Sequence, residues 1–285
     1  MSNLKIAVQK SGRLHQDSMQ LLKDIGISIN NGKDQLKASA QNFPLEIFYL
    51  RNGDIPQYLK DGVVDAAIIG ENVLAEKATD ILKLEKLGFS KCRVSIAIPK
   101  GVRYESVCDL EGKQIATSYP NTVNRFLKEN NINASIHVIN GSVEIAPNIG
   151  LADAIVDIVS SGSTLFKNNL TEKNVILTSE AVLSVSPKIS DSKQELLNTL
   201  RFRIRSVLKG RQSKYILLNA PDDKLNDIIK ILPGMNSPTV LPLAKKGWSS
   251  VHSVIDKNQF WEIIDALKQN GAEGILICSI EKMVI

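Results

Sequence analysis

Short apolar runs alternate with amphipathic stretches over the first part of the chain. The run LKIAV predicts a first strand, and apolar positions between Leu14 and Ile25 form an imperfect helical stripe that Gly26 ends. Further strands are predicted at ISI, LEIFYL and DAAIIG, and a helix is predicted at IPQYLKDGVV with Pro56 in its first turn. This β-α-β alternation predicts a mostly parallel sheet with helices on its faces.

The same pattern then returns farther along the chain. Four positions recur at one constant offset: Asp61, Asp65, Gly70 and Val73 match Asp153, Asp157, Gly162 and Leu165. A constant offset favours duplicated supersecondary units, although two unrelated strand–helix turns with generic chemistry would give the same echo. Two similar α/β lobes would leave a cleft between them, which is a common place for a small ligand.

The pattern changes after Ser190. Apolar residues at helical spacing predict an amphipathic helix over 192–209, which Gly210 is expected to end. The rest of the chain is typical of a strand, a helix, two strands, a helix followed by Gly271, and a last strand. The order β-α-β-β-α-β predicts a ferredoxin-like C-terminal domain.

Composition narrows the class of protein. A chain of 285 residues with 43% hydrophobic and 23% charged residues is typical of a globular protein with two or three domains, and excludes a disordered, collagenous or coiled-coil chain. The aromatic content of 5% provides no stacking platform for single-stranded nucleic acid. Separated cysteines fit a reducing compartment, and no apolar stretch reaches the roughly 18 residues of a membrane span. We therefore expect a soluble, cytoplasmic protein.

The net charge of +5 comes from one basic stretch between Thr199 and Lys214. Its cations are Arg201, Arg203, Arg205, Lys209, Arg211 and Lys214. Such a run could meet a phosphate-rich partner. We favour a solvated helix face or a subunit contact over nucleic-acid binding.

The segment from Asp153 to Thr164 carries the strongest candidate chemistry. An apolar strand leads into Ser160, Ser161, Gly162, Ser163 and Thr164, and a helix-compatible stretch follows. Glycine lets the backbone approach an oxyanion, and N–H groups and hydroxyls at a helix start can hold a phosphate. Asp153 and Asp157 are four residues apart and share a face, where carboxylates suit sugar hydroxyls or magnesium. The alternative interpretation is a capped turn without a ligand.

A second, weaker candidate follows the first strand. Lys10 and Arg13 flank Gly12 at the sheet edge where open α/β sheets bind ligands, and both cations suit a polyphosphate. The spacing of a Walker A loop is absent. The three histidines, His15, His137 and His252, are unclustered, so neither a histidine-based metal site nor a Ser-His-Asp triad is predicted.

Several segments together resemble the ATP phosphoribosyltransferase family in its long, self-regulated form. They are QKSGRL, DGVVDAAIIGENVL, KQIATSYPN, NGSVEIAPNIGLADAIVDIVSSGSTL, SPTVLPL and IEKM, and they run almost from end to end. The resemblance implies an α/β fold with two lobes like a periplasmic binding protein, plus a C-terminal ferredoxin-like βαββαβ regulatory domain. It implies a lobe I of residues 1–95 with 180–210, a lobe II of 96–179 and a regulatory domain of 211–285.

The resemblance also implies the first reaction of histidine biosynthesis. The phosphoribosyl group of phosphoribosyl pyrophosphate would pass to the adenine ring of ATP, with release of pyrophosphate and with magnesium (Mg2+) as cofactor. Residues Ser160, Ser161, Gly162, Ser163 and Thr164 match the family's loop for the 5′-phosphate. Asp153, Asp157 and Glu144 match acids near the ribose and metal, and Lys10, Arg13 and Gly70 match positions on the nucleotide side. No catalytic base is assigned.

The C-terminal domain matches the family's regulatory domain, which binds histidine as a feedback inhibitor. Asn219, Thr239 and Ser250 are candidate partners for the amino and carboxylate groups of that effector. Family precedent implies a homo-oligomer of dimers building into hexamers, with no nucleic acid and no membrane as partner. The alternative from another class is a non-enzymatic, two-lobed protein that binds or senses a small molecule.

Overall fold

The computed structural model describes residues 3–30, 35–77, 80–232, 234–235 and 237–284. The chain divides into two compact units, Met1–Leu197 and Asn198–Ile285. The first unit contains two sheets, one of six and one of five strands, and the second contains a four-stranded sheet. The two sheets of the first unit define lobe I and lobe II.

The elements of the first unit follow in chain order. The first part contains β1 (Leu4–Gln9), α1 (Arg13–Asp24), β2 (Lys37–Ser39), β3 (Leu45–Leu50), α2 (Ile55–Asp61), β4 (Ala66–Gly70), α3 (Glu71–Glu76) and β5 (Leu82–Lys86). The second part contains β6 (Cys92–Pro99), β7 (Gln114–Thr117), α4 (Pro120–Glu129), β8 (Ser135–Val138), β9 (Ala154–Val159), α5 (Ser163–Lys167), β10 (Leu170–Ser179) and β11 (Ala181–Val185). Short 3₁₀ turns lie at Val107–Leu110, Val143–Ile145 and Pro147–Ile149.

The two lobes share one strand order, apart from the additional edge strand β2 in lobe I. Lobe I is ordered β2-β3-β1-β4-β11-β5, and lobe II, given in the corresponding direction, is ordered β8-β7-β9-β6-β10. In each lobe three strands are parallel, and the next strand, β11 or β6, is antiparallel to them. Because β11 returns to lobe I after lobe II is complete, the chain crosses between the lobes twice. The expected pair of α/β lobes of the periplasmic-binding-protein type is confirmed.

The structure corrects the register of the sequence echo. Asp65 immediately precedes β4, but Asp157 lies inside β9, and the residue that precedes β9 is Asp153. The constant offset aligns Gly70 with Gly162, each directly before a helix, but it misaligns the strand starts by four residues. The pairing of Asp65 with Asp157 is therefore wrong, although the lobes are topologically duplicated. The strand predicted at ISI is also wrong, since only Ile29 forms an isolated bridge there, with Ala40.

Burial explains why the central strands are almost wholly apolar. All five residues of β4 are buried, because a strand in the middle of an α/β sheet is covered on both faces. In lobe II the sheet has one core on the α4 side, which includes Val94 and Val123, and a second core that includes Val143 and Leu165. The second core packs the 3₁₀ turns and α5 against the end of β9, next to the candidate phosphate loop.

The second unit confirms the predicted ferredoxin-like order. Its elements are α6 (Asp191–Gln212), β12 (Ser213–Pro221), α7 (Leu225–Ile231), β13 (Thr239–Pro242), β14 (Trp248–Asp256), α8 (Phe260–Gln269) and β15 (Glu273–Ser279), with the unit boundary inside α6. The strands are ordered β13-β14-β12-β15, and neighbours are antiparallel. Helices α7 and α8 pack on one face, where Leu218, Val251 and Leu267 are buried.

Gly210 does not end the amphipathic helix, since α6 continues to Gln212. A Cβ at Gly210 would lie 2.9 Å from the carbonyl oxygen of Ile280 and 3.0 Å from that of Glu281. Glycine is therefore required by a close backbone approach and not by a helix stop. The exact domain limits stay a prediction. In the structure β6 of lobe II begins at Cys92, before the predicted boundary at 95, and the two compact units divide after Leu197.

Candidate functional site

The candidate residues of lobe I lie where its parallel strands end. Lys10 follows β1, and Gly70 is the last residue of β4, so both lie at the carboxyl edge of the sheet. The side chain of Lys10 is exposed, and its backbone N–H donates to the carbonyl oxygen of Leu50 at 2.8 Å. Arg13 begins α1 and is 74% exposed, with its Nε 3.9 Å from Asp17. The structure therefore brings the two predicted cations to one edge.

Arg51 is a further cation at this edge that the sequence analysis missed. It directly follows β3, whose last residue pairs with Gln9 of β1, so Arg51 is the neighbour of Lys10 on the adjacent strand. Its side chain is exposed. The available signal was its position after the predicted strand LEIFYL, the same position that Lys10 has after LKIAV.

Gly70 supports a buried hydrogen-bond chain that joins the two lobes. A Cβ at Gly70 would lie 2.3 Å from Oδ1 of Asn72. The hydroxyl of Ser179 accepts from the Asn72 backbone N–H at 3.0 Å and donates to its Oδ1 at 2.9 Å. The Asn72 Nδ2 donates to the Tyr119 hydroxyl in lobe II at 2.8 Å. Burial raises the pKa of Tyr119 to about 12, so the phenol stays neutral at neutral pH.

The predicted phosphate loop is a turn with a left-handed glycine at the start of a helix. Gly162 has φ 80°, in the left-handed region, and α5 begins at the next residue. A Cβ at Gly162 would meet no atom within 4 Å, so conformation and not space demands glycine here. The hydroxyls of Ser161 and Ser163 are 3.0 Å apart. The N–H groups in the first turn of a helix have no intrahelical acceptor and point out of its end.

Arg93 anchors the start of this loop, although it is not among the site residues that the sequence predicts. Its Nη1 donates to the carbonyl oxygen of Ser160 at 3.2 Å. Its Nε and Nη2 bind both carboxylate oxygens of Glu172. These hydrogen bonds from Arg93 lower the pKa of the Glu172 carboxyl. The three residues lie on β6, β10 and the end of β9, so no local sequence pattern could have indicated the cluster.

Two of the predicted acids come from elements that are in contact, β9 and the 3₁₀ turn Val143–Ile145. Asp157 is partly buried in β9, and Oγ of Ser118 donates to its Oδ1 at 3.0 Å. Burial raises the pKa of Asp157, and the negative charge of Glu144 raises it further. Glu144 lies in the 3₁₀ turn Val143–Ile145 and is partly exposed. Asp157 lies three positions before Ser160, where the predicted phosphate loop begins.

The third acid does not join them. Asp153 precedes β9, whereas the phosphate loop follows it, and a six-residue strand spans roughly 20 Å. Its Oδ2 accepts the backbone N–H of Gln114 at 2.8 Å. The expectation that Asp153 lies beside Asp157 at the loop is wrong, because residues four apart in a strand share a face but lie about 13 Å apart.

The effector candidates share one face of the sheet in the second unit. Asn219 on β12 pairs with Ser250 on β14, and Thr239 on β13 pairs with His252, two residues farther along β14. Cross-strand partners point to the same face, and this face is opposite the one that packs on α7 and α8. His252 lies among them, with Nδ1 2.6 Å from the Tyr215 hydroxyl and Nε2 3.0 Å from Oγ of Ser250. The sequence, in which the three histidines are unclustered, gives no indication of this contact.

The arrangement of the described residues bears on possible cofactors and on the membrane. Within those residues, no cluster of three or more histidine, cysteine, aspartate or glutamate side chains is arranged to hold a metal ion. The helices that the structure describes are all too short or too polar to cross a membrane. Of the basic run on α6, Arg201, Arg203, Arg205 and Arg211 each take part in an interaction, so none of the four is free.

Comparison with known proteins covers the whole chain. Residues 51–206, more than half of the chain, match the family described as ATP phosphoribosyltransferase, and residues 210–282 match the family described as HisG, C-terminal domain. A protein of Cytophaga hutchinsonii named ATP phosphoribosyltransferase is 53% identical over 281 residues, 99% of this chain and 98% of the relative. A Bacteroides thetaiotaomicron protein of the same name is 52% identical over 282 residues, 99% of this chain and 100% of the relative.

A solved structure is similar as well. An ATP phosphoribosyl transferase (HisG:HisZ) complex from Thermotoga maritima contains a chain that aligns with a TM-score of 0.63 and 32% identity. The alignment covers 72% of this chain and 98% of that chain.

Proposed function

Since the chain belongs to the ATP phosphoribosyltransferase family, we propose that it transfers the phosphoribosyl group of phosphoribosyl pyrophosphate to the adenine ring of ATP. This is the first step of histidine biosynthesis, and its second product is pyrophosphate. The observation that carries the proposal is the loop Ser160–Thr164, with a left-handed glycine at a helix start and an arginine that anchors it. A non-enzymatic sensor would not need this loop beside a pair of acids.

The main contribution of the protein to this reaction is to orient the two substrates. A ring nitrogen of adenine attacks the anomeric carbon with its lone pair, and the bond from that carbon to the pyrophosphate oxygen breaks with both electrons leaving on oxygen. The transition state has oxocarbenium character, so alignment and charge stabilisation supply the rate enhancement. The attacking nitrogen already carries its lone pair, so no general base is required, and we assign none.

Each lobe contributes a separate part of this site. The loop Ser160–Thr164 would bind the 5′-phosphate through backbone N–H groups and hydroxyls. Lys10, Arg13 and Arg51 would face the polyphosphate of ATP, and Gly70 lies at the same edge. Asp157 and Glu144 would contact the ribose hydroxyls, which can donate to a carboxylate whose pKa burial has raised.

The residues present fit a magnesium ion. Asp157 and Glu144 are two neighbouring carboxylates whose mutual repulsion contributes to the raised pKa of Asp157, and a nearby cation would relieve it. Mg²⁺ in such enzymes is usually bound by one or two carboxylates plus substrate phosphates. These two residues would hold the ion, which would neutralise charge on the departing pyrophosphate.

The proposal also includes regulation of this activity by histidine. The face with Asn219, Thr239 and Ser250 offers an amide oxygen for an ammonium group and hydroxyl donors for a carboxylate. We propose that this face binds histidine as a feedback inhibitor, and that the chain forms a homo-oligomer, a dimer that builds into a hexamer.

An ultraviolet assay with ATP, phosphoribosyl pyrophosphate and Mg²⁺ tests the activity, with mass spectrometry to identify phosphoribosyl-ATP. Formation of that product only when both substrates are present is the expected result. If calorimetry shows that both ligands bind but no product forms under any ratio of substrates and metal, the chain is a two-lobed binding protein and the enzymatic proposal is wrong.

A further inference from the structure

Helix α3 of lobe I ends in a buried glutamate that is bonded to lobe II. Oε1 of Glu76 accepts the backbone N–H of Asn121 at 2.9 Å. Its Oε2 accepts the backbone N–H of Thr122 at 2.9 Å and the Thr122 hydroxyl at 2.8 Å. The residue is only 8% exposed. All three donors lie in the first turn of α4, so lobe I supplies the N-terminal cap of a lobe II helix.

The chemistry of this contact favours a reversible latch. A buried carboxylate is costly unless hydrogen bonds satisfy it, and the partial positive charge at a helix N-terminus adds to that compensation. If the lobes moved apart, water would replace these donors around Glu76 and around the start of α4. The contact is therefore favourable in the docked arrangement without making separation prohibitive.

Further hydrogen bonds extend the contact along both helices. Nδ2 of Asn121 donates to the backbone carbonyl of Glu76 at 2.9 Å, and Nη2 of Arg125 donates to that of Ala75 at 3.0 Å. Near the other end of α3, Asn72 bonds Tyr119. We call Glu76 with its partners in α4 the interlobe latch.

The latch connects the two edges that carry the candidate site. Helix α3 directly follows Gly70 at the end of β4, on the edge that holds Lys10 and Arg51. Helix α4 follows β7, and Ser118 between them bonds Asp157. Fixing α3 against α4 therefore fixes the nucleotide edge of lobe I relative to the acids and the phosphate loop of lobe II.

We propose that Glu76 is a positioning residue, which holds the two lobes at the spacing in which ATP and phosphoribosyl pyrophosphate can be bound together. This inference rests on the proposed function for its kinetic consequences. A protein whose binding-competent arrangement is only partly populated binds its ligands more weakly by that fraction. Substrates that bridge the lobes restore the competent arrangement at saturation, so the latch acts on KM more than on kcat.

Steady-state kinetics on Glu76→Ala, Glu76→Gln and a control, Glu129→Gln, test the kinetic effect. Glu129 is an exposed glutamate at the last position of the same helix α4. We expect Glu76→Ala to raise KM for both substrates about tenfold with kcat within about twofold, and Glu76→Gln to fall between it and the wild type. The control should match the wild type. Unchanged KM values in Glu76→Ala would overturn the proposal, whether or not kcat and the melting temperature fall.

A distance measurement tests the latch without any turnover. Spin labels at Lys60→Cys in α2 and Lys128→Cys in α4, both exposed positions, would be introduced after Cys92, Cys108 and Cys278 are replaced by serine. Without substrates, the wild-type latch should give one narrow distance distribution, and Glu76→Ala a broader one with longer distances. Identical distributions would refute the latch even in an active enzyme. Absence of phosphoribosyl transfer in the wild type would refute the proposed function and leave the distances to decide the latch.

Discussion

The hydroxyl of Ser179 holds Asn72 at two points, since it accepts from the asparagine backbone N–H and donates to the side-chain oxygen. Ser179 ends β10, where the chain returns from lobe II, and Asn72 lies in the first turn of α3 in lobe I. The side chain of Asn72 then reaches the Tyr119 hydroxyl. One asparagine thus connects a crossing between the lobes with the edge of the candidate site, and this explains the requirement for glycine at position 70.

Gly70→Ala should therefore destabilise the protein. The added Cβ would lie 2.3 Å from Oδ1 of Asn72, whose position Ser179 and Tyr119 fix. Overpacking of this kind typically costs about 1–3 kcal/mol, which thermal denaturation would show. Gly53→Ala is the matched control, because a Cβ there meets no atom within 4 Å. Equal melting temperatures for the two variants would contradict the assigned role.

Gly162→Ala should weaken binding of phosphoribosyl pyrophosphate. Its φ of 80° is strained for a residue with a Cβ by about 1–2 kcal/mol, so the loop should change conformation. We expect KM for phosphoribosyl pyrophosphate to rise about tenfold while KM for ATP stays the same. Gly112→Ala introduces similar strain at φ 70° before β7, at the opposite edge of lobe II, and should leave both KM values unchanged. A similar KM effect in the two variants would show that strain alone is responsible.

Asp157→Asn should lower turnover and raise stability. Because burial raises the pKa of Asp157, its charged form destabilises the folded state at pH values above that raised pKa. Asparagine removes the charge and can still accept the hydrogen bond of Ser118. The gain in melting temperature should be largest at neutral pH and shrink as the pH falls toward the ordinary range of aspartate. A gain that grows in acid would contradict the sign of the shift.

Arg93→Ala should release the phosphate loop and destabilise lobe II. It removes the bond to the Ser160 carbonyl and the pair with Glu172, a loss of about 1.5–3 kcal/mol for hydrogen bonds to a charged group. Because Arg93 lowers the pKa of Glu172, this stabilisation is present above the ordinary glutamate pKa and is lost as pH falls through the lowered value. The difference in melting temperature from wild type should thus shrink in acid.

Glu172→Gln separates the two roles of Arg93. It removes the ion pair and leaves the bond between Arg93 and Ser160 in place, so we expect reduced stability with little change in KM for phosphoribosyl pyrophosphate. If Glu172→Gln raises that KM as much as Arg93→Ala does, the ion pair, and not the bond to Ser160, positions the loop.

Asn219→Leu should make the enzyme less sensitive to histidine. The substitution removes an amide from the sheet face opposite α7 and α8, where Ser250 is its cross-strand partner. We expect the histidine concentration for half inhibition to rise at least about tenfold, with kcat and both KM values unchanged. A change of this size corresponds to an ordinary coupling free energy between two sites. Dose–response curves at fixed substrate would measure it. An unchanged curve in this variant and in Ser250→Ala would locate the effector elsewhere. Truncation after Gly210 is a poorer test, because it would cut α6 two residues before its end and remove the whole sheet of the second unit.

Local patterns in the sequence determined the elements and most of their order. Alternation of apolar strands and amphipathic helices predicted both lobes, and the β-α-β-β-α-β order predicted the second unit. The loop around Gly162 was readable because strand, glycine and helix start are contiguous in sequence. The position of Lys10 and Arg13 could be predicted for the same reason. Both lie shortly after a strand, and the end of a strand lies at the edge of the sheet whichever strands it pairs with.

Only the tertiary structure decided which residues meet. Arg93 and Glu172 lie on separate strands and Ser160 directly follows a third, while Glu76 reaches Thr122 across two lobes. No short-range pattern therefore contains either cluster. Asp153 and Asp157 illustrate the limit of such patterns. Their spacing of four residues predicts that they share a face of the strand, but a strand rises by roughly 3.3 Å per residue, so the two side chains lie far apart along it. Periodicity in a chain reports the direction of a side chain, whereas hydrogen bonds between strands and lobes depend on distances that only the packed fold creates.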